Sequence, residues 1–98
     1  VISVEKVVEK MCHNPAILFD IADRGYLREG YFADVVLVDM NSPWVVAKDN
    51  LLYKCGWSPM EGQGFRSRIV STWVNGNLAY DNGGVIPACY GARVCFNR

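Results

Sequence analysis

The first hydrophobic pattern in the chain is helical. Val4, Val7, Val8 and Met11 recur at i, i+3, i+4 and i+7, so they share one face of a helix. Glu5, Lys6, Glu9 and Lys10 occupy the other face, which reads as a solvated surface. At i, i+4 this face pairs like charges, Glu5 with Glu9 and Lys6 with Lys10. Lys6 and Glu9, three apart, offset part of that repulsion. Ser3 is placed to cap this helix, which is expected to run to about Cys12. So many valines lower its intrinsic propensity, and it must rely on packing against something else. A second helix is expected to start at Asn14 as N-cap, with Pro15 at the first helical position, where a missing N–H costs nothing. Ala16 to Phe19, then Ile21 and Ala22, continue it, and Gly25 supplies the left-handed residue that ends it.

Beyond Gly25 the pattern becomes extended. Tyr26-Leu27 reads as a short strand and Arg28-Glu29-Gly30 as a turn. Ala33 to Asp39 (ADVVLVD) is β-branched, apolar on both faces and too short for a stable helix, so it reads as a buried strand. Met40 to Pro43 is a turn cluster, Trp44-Val45-Val46 a strand candidate, and Lys48-Asp49-Asn50 its break. Leu51 to Cys55 is ambiguous between a helical turn and extended chain. Gly56 to Gly64 is the one long loop. It carries Trp57 and Met60, large apolar side chains that suggest a loop packed on a surface. Phe65 begins a strand through Trp73, with Ile69, Ser71 and Trp73 facing one way and Val70, Thr72 and Val74 the other. Asn75-Gly76 is the strongest hairpin signal, since a type I′ turn needs φ > 0 at both central residues. It should pair Ile69–Val74 with Asn77–Asp81. Asn82-Gly83-Gly84 and Pro87 mark another loop, and Ala92 to Phe96 a last short strand. The expected fold is mainly β with N-terminal helices.

Ninety-eight residues allow one domain with a modest core. Hydrophobic residues make up 51% and charged residues 20%, which points to a globular rather than a disordered chain. Ten basic residues balance ten acidic ones, which argues against a nucleic-acid partner. The sequence holds no run of 18 apolar residues, so no membrane-spanning helix is expected. VISVEKVVEK has acidic residues and no signal-peptide pattern. Cys12, Cys55, Cys89 and Cys95 form no C-x-x-C pair, so a structural zinc site is not expected. Reduced, mostly buried thiols are the expectation.

Taken together, Asn14 to Asp39 resembles the C-terminal signature of the amidohydrolase superfamily. There a helix beginning NPA closes a metal-dependent barrel, and a turn pair leads into an ADVVLVD-type strand of a small β-sandwich. A second stretch, Lys54 to Gly62 (KCGWSPMEG) followed by Arg68 to Ala79 (RIVSTWVNGNLA), resembles the tail of the dihydroorotase family. Met60 stands where that family usually has Phe, a soft apolar exchange. The resemblance spans nearly the whole chain but only about the last quarter of a full-length enzyme. It implies residues 1–24 as the helical segment that closes a missing (β/α)8 barrel, and residues 25–98 as the C-terminal part of a composite β-sandwich. It also implies a parent that reversibly cyclises N-carbamoyl-L-aspartate to dihydroorotate in pyrimidine synthesis, with zinc in its barrel. A hydantoinase- or allantoinase-like tail is the alternative within the superfamily. A free-standing β-rich interaction module is the alternative outside it.

The chemistry carried by the chain itself is sparse. A hydrolytic site of this kind needs several histidines and an aspartate around its metal. His13 is the only histidine, and a helix-end or partly buried structural role is weighed against a ligand role. Asp34 and Asp39 lie five apart on a strand, so about 16 Å apart on opposite faces, which excludes joint acid–base work and favours turn and cap roles. Ser58 lacks a G-x-S-x-G elbow, and Gly56, Gly62 and Gly64 lack the Lys-Ser/Thr ending of a phosphate loop. No catalytic or metal residue is therefore assigned. Trp57, Ser58, Pro59, Met60, Glu61 and Gly62 are the candidate site, as an active-site rim or, preferred, the seam between sandwich and barrel. The chain starts at Val1 without an initiator Met and is expected to be an expressed or proteolysed fragment. It is expected to bind no cofactor, to sit in the cytoplasm, and to partner the missing barrel and N-terminal strands. With those absent, its apolar edge and helix face should make it a homo-oligomer.

Overall fold

The structure is a computed structural model and describes residues 1–87 and 90–98. Among the described residues it holds one N-terminal helical run, a four-stranded antiparallel sheet and a two-stranded one.

The helical run begins as expected, with the Ser3 side chain accepting the Lys6 N–H at 3.2 Å. It does not break at Asn14. Helix α1 (Val4–Val8), a π-turn (Glu9–His13) and α2 (Asn14–Leu18) are continuous, and Asn14 has helical φ −62 and ψ −43. The two expected helices are one, and Pro15 is the physical reason for its irregularity. Proline removes an N–H and crowds the carbonyl four residues back. The turn before it widens to the π form, in which the Asn14 N–H donates to the Glu9 carbonyl.

The end of the helix also differs from expectation. Asp20, with φ 52, takes the left-handed position. The Ile21 N–H donates to the Ala16 carbonyl at 2.9 Å and the Asp20 N–H to that of Ile17 at 3.3 Å, a Schellman motif without glycine. Gly25 (φ +88) has another task. A Cβ there would lie 2.5 Å from the Ala16 Cβ and 2.8 Å from the Cys12 carbonyl oxygen. Gly25 is where the chain folds back onto the helix.

Tyr26-Leu27 is not a strand. This segment is held by side chains instead, with Tyr26 edge-on to His13 (4.1 Å) and under the Arg28 guanidinium (4.0 Å). The Arg28–Tyr31 turn forms, closed by the Tyr31 N–H at 3.1 Å with Gly30 at φ +84.

Strand β1 (Val35–Asp39) pairs antiparallel with β4 (Arg68–Val74). The latter pairs with β5 (Asn77–Asp81), and β5 with β6 (Gly84–Val85). The expected strand from Phe65 is split. Gly64–Phe65 (β3) pairs with Trp44–Val45 (β2), and β4 starts again at Arg68. Asn75-Gly76 forms the expected type I′ turn, and Asn82-Gly83 forms a second one where the sequence pattern marks only a loop. Asn75 and Gly76 have φ 50 and 78, Asn82 and Gly83 have φ 45 and 91. Irregularities on both sides of β4, between Leu37 and Val38 on β1 and between Thr72 and Trp73 on β4, break strict alternation of its faces. Ala92 to Phe96 forms no strand. It contributes a single bridge, Phe96 to Ile21, flanked by bonds from the Ala22 N–H to the Cys95 carbonyl and from the Asn97 N–H to that of Asp20. The tail thus closes on the helix end, too briefly to make a ladder.

Among the described residues only Ala16, Val46 and Ser71 are buried. Val36, Leu37 and Val38 are 52, 51 and 41% exposed, so β1 is not buried within this chain. Its apolar faces have no covering layer here. The thiols of Cys12, Cys55 and Cys95 are free and exposed, not buried, for the same reason; Cys89 lies outside the described residues.

Candidate functional site

The loop Trp57 to Gly62 is built outward from the β2–β3 ladder. The ladder continues one step past the strands, with the Val46 N–H donating to Gln63 (3.0 Å) and the Gly62 N–H to Val46 (2.8 Å). Below this step the Trp44 indole N–H donates to the Ser67 carbonyl at 2.8 Å, and its ring packs on Phe65 at 5.6 Å. Above it two turns overlap. The Ser58 hydroxyl accepts the Met60 N–H at 3.1 Å, and the Ser58 carbonyl accepts that of Glu61 at 3.2 Å. The Met60 carbonyl accepts the Gln63 N–H at 2.9 Å, with Gly62 at φ +86. That is the left-handed residue a type II turn requires.

The base of the loop is therefore pinned by backbone bonds, while its large apolar side chains are exposed. Trp57 is 60% exposed and Met60 45%; Pro59 and Glu61 are exposed and Ser58 is half-buried. The structure brings these residues together on one projecting loop. It assigns Ser58 Oγ to a backbone N–H, a structural use of the hydroxyl. A concave space of about 1010 Å³ lies beside the ladder, lined by Trp44, Asp49, Leu52, Arg68, Ile69 and Tyr80 among others. Sequence reading missed this hollow. Its walls are residues far apart in the chain, and only the pairing of the strands puts them together.

Asp39 takes the turn role expected of it, whereas Asp34 makes long-range bonds instead of a local turn or cap. Asp39 Oδ1 accepts the Asn41 N–H at 2.9 Å. Asp34 Oδ1 accepts the Asn75 N–H at 2.8 Å at the hairpin tip, and its other oxygen pairs with Arg24. Arg24 stacks over Phe32 at 4.1 Å and donates to the Ala92 carbonyl at 3.3 Å. Strand entry, hairpin tip, post-helix loop and C-terminal tail meet at this pair.

His13 is half-buried in the π-turn, its Nδ1 enclosed without a hydrogen-bond partner and its ring against Tyr26. Among the described residues no three His, Cys, Asp or Glu side chains stand close enough to hold a metal ion. The described residues thus do not fit a zinc centre of their own. No described helix is long and apolar enough to cross a membrane.

Residues 1–79 match the Amidohydrolase family. The chain belongs to that family. A dihydroorotase of Pyrococcus furiosus is 33% identical over 93 residues, which are 95% of this chain and 22% of that protein. An allantoinase of Rubrobacter xylanophilus is 34% identical over 90 residues, 92% of this chain and 20% of that protein. Among solved structures, the L-hydantoinase (dihydropyrimidinase) of Arthrobacter aurescens superimposes with a TM-score of 0.76 at 31% identity, covering 87% of this chain and 19% of that one. The chain thus spans about a fifth of the length of the relatives it matches.

Proposed function

We propose that the chain is the C-terminal segment of a dihydroorotase-like cyclic amidohydrolase and serves it as a structural, non-catalytic part. The observation that carries this reading is the dihydroorotase match over 95% of the chain, which includes the KCGWSPMEG loop. The parent would reversibly cyclise N-carbamoyl-L-aspartate to dihydroorotate in the cytoplasm, with zinc bound in its barrel. Residues 1–24 would close that barrel, and residues 25–98 would complete a β-sandwich shared with strands from the start of the enzyme. Trp57, Ser58, Pro59, Met60, Glu61 and Gly62 would form the seam between sandwich and barrel, because a pinned loop with exposed Trp and Met suits a packed interface.

A hydantoinase- or allantoinase-like parent is the second reading, favoured by the superposition on the L-hydantoinase. The test is complementation in trans. The 98-residue chain is co-expressed with the Pyrococcus furiosus dihydroorotase from which the matching segment has been removed, and the product is assayed on dihydroorotate, hydantoin and allantoin with added zinc. Restored dihydroorotate hydrolysis with the chain, and none with either piece alone, is the expected result. No restoration, or turnover by the 98 residues alone, overturns the structural role. To identify the parent, the gene is read upstream of Val1, and the enzyme it encodes is assayed on the same three substrates.

A further inference from the structure

Among the described residues, the helical run and the four-stranded sheet share no extensive packed face. What joins them is a set of bonds around Arg24. This residue lies just beyond the helix, where Gly25 brings the chain back against Cys12 and Ala16. One Nη of Arg24 pairs with Asp34, the residue before β1. The other donates to the Ala92 carbonyl at 3.3 Å, and the guanidinium lies over the Phe32 ring at 4.1 Å. Asp34 passes the connection on, since its Oδ1 accepts the Asn75 N–H at 2.8 Å in the turn between β4 and β5.

Backbone bonds flank this pair. The Phe32 N–H donates to the Asp23 carbonyl at 2.9 Å and the Ala22 N–H to that of Cys95 at 2.9 Å. The Asn97 N–H donates to the Asp20 carbonyl at 2.8 Å. Every partner in the set lies within these 98 residues, so the joint is complete without any other part of a parent enzyme.

The geometry asks for arginine. The Arg24 side chain is only 15% exposed, and its two Nη atoms reach partners 10 and 68 positions away. Its Nε is enclosed without a hydrogen-bond partner, so the polar contacts of the side chain rest on the two ends of the fork. A lysine ammonium carries its charge at one point and could not serve Asp34, the Ala92 carbonyl and the Phe32 ring together.

We propose that Arg24 is a positioning residue, which locks the end of the helical run to the sheet and to the C-terminal tail so that the three move as one body. This goes beyond the role in a parent enzyme, which requires the chain to dock but no particular joint within it. Hydrogen exchange of the 98-residue chain, read amide by amide, tests it. In the unchanged chain the Ala22, Phe32 and Asn97 amides should be protected. Arg24→Leu should speed their exchange about ten- to hundredfold. The amides of Asn82, bonded to Val70, and of Val46, bonded to Gln63, should change by less than about twofold. A general loss of stability would instead raise all five together. Arg24→Lys keeps a charge beside Asp34 but not the reach to Ala92, so it should release Ala22 and Asn97 and leave Phe32 protected. A second readout rests on the proposed structural role: Arg24→Leu should lower the dihydroorotate hydrolysis restored in trans about tenfold at equal amounts of chain. If the unchanged chain restores nothing, the proposed role fails and exchange alone decides the joint. Unprotected joint amides in the unchanged chain, a uniform rise or no rise in Arg24→Leu, an Arg24→Lys chain that exchanges like the unchanged one, or full complementation by Arg24→Leu would each overturn the proposal.

Discussion

The hairpin tip and the outer edge of β1 lie on the same sheet and differ in every physical respect. At the tip, Asp34, Arg24, Asn75, Gly76 and Ala33 satisfy one another through charge and backbone bonds. Along the edge, Val36, Leu37 and Val38 pair with β4 and remain about half exposed. The Trp57–Met60 loop belongs with the edge: its backbone is satisfied locally while its apolar side chains are open. The contrast separates what holds this chain together from what it presents to something else. Polar bonds and turns do most of the first. Apolar area, which in an ordinary domain would form the core, is largely left for the second.

The sharpest break in that division should come at Gly25. Gly25→Ala places a methyl against Ala16 and the Cys12 carbonyl at φ +88, so both overpacking and backbone strain apply. Urea denaturation should show a loss of about 2–4 kcal/mol. Asp34→Ala strands the Asn75 N–H and frees Arg24, and should cost about 1–3 kcal/mol, with Asp34→Asn recovering part through its remaining acceptor. A Cβ added at Gly76 meets no atom within 4 Å, so the cost of Gly76→Val is chiefly conformational at φ +78, about 1–2 kcal/mol. A melting temperature equal to that of the unchanged chain would remove the type I′ assignment. Trp57→Ser should change the stability of the chain by no more than about 0.5 kcal/mol while weakening complementation of the truncated dihydroorotase. A large loss of stability there would move Trp57 to the satisfied side of the comparison.

The smallest effect is electrostatic. Glu9 sits below its ordinary carboxylate range because the Lys6 ammonium donates to it, with Coulombic help from Lys6, Lys10 and His13. A depressed carboxylate contributes stability above its unfolded pKa and loses it as pH falls through the folded one. Acid titration of helix content should therefore show a slight loss below the usual Glu range, absent in Lys6→Ala. The pair is exposed, so the change should be close to the detection limit.

How far the sequence could be read depended on the distance between the groups that interact. The Ser3 cap, the Asp39 turn, the Arg28–Tyr31 turn and the Asn75-Gly76 hairpin each need residues no more than three apart. Their chemistry is written in the local sequence. The β1 strand was legible from its β-branched run, and the projecting loop from its glycines and misplaced tryptophan. The fusion of two helices through a π-turn was not. Asn-Pro fits a helix start as well as a widened helix interior, and only the continuous hydrogen bonding across Glu9–Asn14 chooses between them. Gly25 looked like a helix end because glycine usually is one, whereas its role comes from a backbone approach to Cys12 and Ala16 that no local pattern records. The tail from Ala92 to Phe96 read as a strand by composition, yet only one bridge reaches it from Ile21, seventy-five positions earlier. Burial was decided last of all. Apolar residues announce that they will be covered, but the cover is a matter of which surfaces meet, and for β1 and the Trp57 loop those surfaces are not supplied by the described residues of this chain.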